Sequence, residues 1–189
     1  MSQKFKVESK RNINTYAYMY KSANHSLKCG IEEVEGSFYQ FMSSLMFSAF
    51  TLEAYMNHLG SERIEYWEEI QSIRYLDKLK ILYLNLGIEF DKSKRPLQTV
   101  IQLVKFRNLM AHGKSESISG SIITDTPSRD PSVKVVETDW EKFCNVKEAQ
   151  RVIEDIALII ESLNLASGGS KFGLWSLGNG SGSTTLQKP

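Results

Sequence analysis

Apolar residues recur at helical spacing through most of the chain, and the recurrence is interrupted by a few glycines and prolines. Tyr16, Tyr18, Met19, Tyr20, Ala23 and Leu27 predict a first helix over Asn12 to Cys29, with Gly30 as its stop. From about Val34 to Leu59, apolar residues such as Phe38, Phe41, Leu45, Phe47, Phe50, Leu52 and Met56 fall nearly all round the helix axis. That pattern predicts a helix at the centre of a bundle, ended by Gly60. A third helix follows from about Glu62 to Leu86, carried by Trp67, Ile70, Ile73, Leu76, Leu79 and Leu82 or Tyr83, with Gly87 as its stop. Pro96, a good first-turn residue, opens a fourth helix that runs to Gly113. Asn145 with Glu148 three residues on reads as an N-cap and its partner, and Val152, Ile153, Ile156, Ile159, Ile160 and Leu163 give the last helix its apolar face.

The remaining segments look different. Residues 1–11 are polar and read as a flexible N-terminus. Ser117–Thr124 and Ser132–Thr138 are β-branched and roughly alternating, with Pro127, Asp130 and Pro131 between them, which predicts a small hairpin or ordered loop within an insertion over about 114–145. Residues 166–189 are rich in Gly and Ser and read as a flexible tail. Phe172, Leu174, Trp175 and Leu177 form an apolar island in it, which either docks on its own body or meets a partner chain. The expectation is an all-α, up-and-down bundle of about five helices over residues 12–165, with a small β-hairpin or loop insertion before the last helix.

Composition narrows the class. At 189 residues, 41% hydrophobic and 24% charged, the chain fits one globular domain with a real core. Gly36 to Leu52 carries no charge, yet Gln40, Ser43, Ser44, Ser48 and Thr51 dilute it below what a membrane-spanning helix needs. The start of the chain has no apolar leader, and Cys29 and Cys144 fit neither a metal spacing nor a disulfide framework, so a reducing cytoplasm and no membrane are expected. The net charge is only +1, but it is unevenly spread. Arg74 to Lys114 holds nine basic residues against three acidic, and 115–165 holds five against ten. The basic excess either solvates helix faces or serves a polyanion.

It coincides with the stretch Arg107-Asn108-Leu109-Met110-Ala111-His112 at the end of the fourth helix. At about 100° per residue, Leu97, Val100, Ile101, Val104 and Ala111 share one side, whereas Gln98, Thr99, Gln102 and Lys105 fall opposite. Asn108 projects near the middle of the apolar stripe, and Arg107 and His112 onto its margins. Burying three such groups unpaired would cost a few kcal/mol each, so a polar network, a cleft or an interface is expected there. The helix end favours imidazolium at His112, neighbouring Arg107 and Lys114 oppose it, and Arg107 offers a planar fork suited to phosphate. No nucleophile with a base partner and no phosphate-binding glycine loop occurs, and His25, His58 and His112 make no metal-ligand pattern. On the residues alone, a packed or capping histidine remains the simpler alternative.

R-N-x-x-x-H closing a core helix of a small bundle resembles the HEPN superfamily, whose hallmark is R-x(4 to 6)-H, usually with a polar residue after the Arg. Phe50-Thr51-Leu52-Glu53-Ala54-Tyr55-Met56-Asn57 and Leu76-Asp77-Lys78-Leu79 are similar to its second and third helix segments, and the resemblance covers roughly residues 35–165. It implies a metal-independent endoribonuclease with no cofactor, in a toxin–antitoxin or phage-defence role, acting as a homodimer in which two motifs face one cleft. The RNA 2′-OH would attack the adjacent phosphate, with His112 moving protons, Arg107 stabilising the phosphorane and Asn108 orienting either; the products would be a 2′,3′-cyclic phosphate and a 5′-OH. Glu53 is either a partner standing behind Arg107 or a surface carboxylate. Lys114 and Lys105 are either RNA contacts or solvated cations. Some toxin members carry a Tyr two residues after the His, where an antitoxin modifies it; here Lys114 takes that place, so a cognate antitoxin or inhibitor would act by another route, or there is none. The alternative is a non-catalytic helical module that binds nucleotide, RNA or a protein.

Overall fold

The computed structural model describes residues 5–121 and 136–186. Seven helices and one two-stranded sheet occur among them. In chain order they are β1 (Phe5–Ile13), α1 (Thr15–Glu32), α2 (Ser37–Arg63), α3 (Trp67–Ile70), α4 (Tyr75–Asn85), α5 (Leu97–His112), α6 (Asp139–Phe143), α7 (Val146–Ala166) and β2 (Gly178–Leu186). The expected all-α bundle of about five helices is therefore corrected to a mixed architecture, in which a helical body carries an antiparallel ribbon made from both ends of the described chain.

The helical body is organised around α2, which touches α1, α3, α4, α5 and α7. Its residues Leu45, Ala49, Leu52, Tyr55, Met56 and Leu59 are buried with Leu79 and Leu82 of α4, Val100 and Leu103 of α5, and Ile156, Ile159, Ile160 and Leu163 of α7. The all-round hydrophobicity of α2 thus reflects partners on most sides. The single helix expected over Glu62–Leu86 is broken into the end of α2, the short α3 and α4, with Arg74 extended before α4. Two glycines expected to be stops lie inside helices, and at both a side chain from elsewhere in the fold packs against the bare backbone. A Cβ on Gly30 would come within 2.7 Å of the Phe41 ring, and one on Gly60 within 2.2 Å of Trp67. A glycine at a close approach carries the same sequence signature as a glycine at a helix end.

Pro96 and His112 bound α5 as the sequence indicates, and the Asn145 side chain accepts from Glu148 N at 3.0 Å to start α7. Of the expected hairpin, residues 122–135 lie outside the described residues. The flanking 117–121 and 136–138 form no strand, and the short helix α6 lies within the same insertion. Thr138 and Glu141 close a reciprocal capping box at its start.

The two segments expected to be flexible pair with each other, from Phe5 opposite Leu186 to Ile13 opposite Gly178. Nearly every residue of the ribbon is exposed, so its stability comes from the backbone ladder and from its root. At that root Asn14 N donates to Leu177 O at 3.2 Å and Asn14 Nδ2 to Ser176 O at 3.0 Å. Leu174 is buried, and Trp175 stacks on Tyr20 with ring centres 3.9 Å apart. Most of the apolar island thus docks on its own body, while Phe172 stays 96% exposed. No described helix is long and apolar enough to cross a membrane.

Candidate functional site

Helix α5 is anchored by its first three turns. Leu97, Val100, Leu103, Val104 and Phe106 are buried, as is Thr99, which helical projection had placed on the outer side. The reason is Asp155 of α7, also buried, which accepts from Thr99 Oγ1 at 2.5 Å and from the Arg95 fork at 2.9 and 2.8 Å. The fully buried positions end at Phe106. In the last turn Asn108, Leu109, Ala111 and His112 are exposed, so Asn108 and Ala111 do not face the core as the projection suggests, while Met110 still packs against it.

Arg107 leaves this helix towards α2. Its Nη2 donates to Glu53 Oε2 at 3.0 Å, and its Nη1 donates to Asn108 Oδ1 at 3.1 Å. Lys78 of α4, only 4% exposed, donates Nζ to Glu53 Oε1 at 3.2 Å. Glu53 is therefore a carboxylate bridge between two cations from two other helices, and it stands behind Arg107. These groups line a cleft of about 620 Å³, which also takes in Arg74, Asp77 and Lys92. Arg74 is paired with Asp77 at 2.7 Å, so four cations face two carboxylates, both already engaged. The cleft therefore carries a net positive charge.

At its floor lies Tyr75, buried, with its hydroxyl donating to Ala49 O at 2.8 Å. Burial pushes its phenol well above the ordinary 10.0, Glu53 pushes further the same way, and Arg107 pulls back. The floor of the cleft is thus a neutral, hydrogen-bonded wall that holds α4 against α2.

His112 lies one helical turn beyond Asn108 at the free end of α5 and does not line the cleft. It has no hydrogen-bond partner among the described residues. Lys105 and Lys114 are exposed on α5 and just after it, and neither lines the cleft. The structure therefore brings Arg107, Asn108 and Glu53 together and leaves His112, Lys105 and Lys114 on the outside. Among the described residues no group of three or more His, Cys, Asp and Glu gathers as a metal set would.

The sequence reading missed Lys78, Arg74 and Lys92. A signal for Lys78 existed: it falls between Tyr75 and Leu82 at i+3 and i+7 spacing, a charge on the inward face of an otherwise apolar helix.

No protein-family model matches the chain, and no curated protein and no solved structure matches it either. The resemblance to the HEPN superfamily rests on the motif residues, the segments 50–57 and 76–79, and their order along the chain.

Proposed function

We propose that the protein is a metal-independent endoribonuclease of HEPN type that works as a homodimer. The observation that carries this reading is the cationic cleft in which Arg107 is presented by a Glu53–Lys78 pair next to Asn108, with His112 one turn beyond at an exposed helix end. A phosphodiester suits such a donor set better than a carbonyl does, because the guanidinium and ammonium groups match the charge that builds on a phosphorane. In this mechanism the 2′-OH of a ribose attacks its own phosphate and the P–O5′ bond breaks. His112 takes the proton from the nucleophile or gives one to the leaving oxygen, and Arg107 stabilises the dianionic intermediate. DNA is inert because it lacks the attacking hydroxyl.

The exposed α5 end supports the dimer. In one protomer His112 stands outside the cleft of its own Arg107, and a second copy meeting it across a two-fold axis would bring two His112 and two Arg107 to one groove. A toxin–antitoxin or phage-defence role, with an inhibitor that does not use a Tyr beside His112, belongs to the same reading. A second reading has its own observation. Arg107 is already satisfied by Glu53 and Asn108, an arrangement equally suited to binding an anion without cleaving it.

Incubating the protein with RNA in EDTA, beside His112→Ala and Arg107→Ala, separates the two. Cleavage that survives EDTA and disappears in both variants, leaving 2′,3′-cyclic phosphate ends, supports the enzyme. RNA bound and left intact supports the binding module.

A further inference from the structure

On the side of α5 away from the cleft lies a second pocket of about 380 Å³, closed by α6 and the first turns of α7. Its walls combine aromatic and cationic side chains: Phe106, Trp140 and Phe143 with Lys105, Lys142 and Arg151. We infer that this pocket is a nucleobase subsite for single-stranded RNA, holding a base that flanks the phosphate engaged at Arg107. The inference rests on the ribonuclease reading and adds to it where the strand lies.

Three observations carry it. The aromatic platforms are set in advance: Phe143 packs on Phe106 with ring centres 5.5 Å apart, Trp140 packs on Phe38 at 6.2 Å, and the capping box of Thr138 and Glu141 fixes the helix that bears them. A base can stack on such a wall without paying to order it. The charges suit a nucleotide. Asp139 and Glu148 on the rim are paired with Lys142 and Arg151, which leaves the exposed Lys105 for a phosphate. The topology connects the two sites. Asn108 lines the cleft and Leu109 lines the pocket, and His112 follows them at i+4 and i+3, so it sits on the ridge between them. A strand crossing the free end of α5, about 10–12 Å wide with its side chains, would pass from one site to the other over His112.

The test uses the full-length His112→Ala protein, which would bind RNA without cleaving it. Fluorescence anisotropy is measured with a short single-stranded RNA and with the same RNA made abasic at one position at a time. One abasic position is expected to weaken binding by about 5- to 150-fold, the range of a lost base–aromatic stack. In Trp140→Leu, binding is weaker by a similar factor and that position no longer matters, whereas Trp140→Phe restores the effect; thermal melting confirms that both variants fold. Abasic positions that cost the same with and without Trp140, or displacement of the RNA by an acidic peptide with no dependence on any base, overturns the subsite. Cleavage by the His112 protein together with that result overturns the subsite alone. Absence of both binding and cleavage overturns the ribonuclease reading with it.

Discussion

Arg107 Nη2 lies 3.0 Å from Glu53 Oε2, and the other oxygen of the same carboxylate is held by the buried ammonium of Lys78. One carboxylate on α2 thus orders two cations from α5 and α4, and the position of the motif arginine depends on a residue far from it in sequence. Removing Glu53 would leave Lys78 as a buried cation without its counter-charge.

Glu53→Gln is accordingly expected to destabilise the fold by about 1–3 kcal/mol, less than for a fully buried pair because Glu53 is 25% exposed at the cleft. The double variant Glu53→Gln/Lys78→Met removes the stranded charge and should recover most of that loss, with a coupling of roughly 1–3 kcal/mol in urea denaturation. Additive losses would mean that the bridge does not hold the cleft together.

His112 is exposed, so His112→Ala should leave stability within about 0.5 kcal/mol of the parent. If it transfers protons, RNA cleavage falls by about 10²- to 10⁴-fold in the same variant. Unchanged cleavage in a folded variant would remove His112 from the mechanism.

How far the sequence could be read depended on whether a residue's partner was local. The span of α5, the Asn145 cap and the apolar face of α7 follow from residues within a turn or two of each other, and they were legible. Thr99 was placed on the wrong side because its partner, Asp155, comes from another helix, and a lone threonine does not announce a buried carboxylate. The ribbon was missed because β1 and β2 are exposed on both faces and lie at opposite ends of the chain, so neither shows the alternation of a half-buried strand. At the site, Arg107, Asn108 and His112 were visible as a spacing and Glu53 as an isolated charge on an apolar helix. That Lys78 completes the bridge depends on how α4 docks, which no local pattern encodes.

Gly60 gives a direct check of close packing within a helix. Helix propensity alone favours Ala there by about 1 kcal/mol. Against that, the added methyl would sit 2.2 Å from the Trp67 ring, which is 1% exposed and has nowhere to go. Gly60→Ala is expected to lower stability by about 1–3 kcal/mol, as overpacking does. Stabilisation would show that Trp67 moves freely.

Thr99→Val keeps the shape of a buried side chain and removes one donor to Asp155. The remaining bonds from Arg95 keep the carboxylate paired, so the expected loss is about 1–2 kcal/mol in chemical denaturation. A neutral result would mean that the Arg95 fork alone fixes Asp155.

Alkaline pH should unfold the protein through its buried phenols. Burial pushes Tyr83 up to about 12 and Tyr75 well above the ordinary 10.0. In the unfolded chain both ionise near 10, while the folded state keeps them protonated, so the unfolded state releases protons first as pH rises. The contribution of these groups is fully present below about pH 10 and is lost progressively as pH climbs towards the folded values. Urea midpoints measured from about pH 9 to 12 should therefore fall. Tyr75→Phe removes one of the responsible groups. It should be less stable than the parent at neutral pH, because the bond to Ala49 O is gone, yet decline less steeply above pH 10. A parallel decline in the two proteins would mean that Tyr75 ionises without unfolding and that the floor of the cleft is open to solvent.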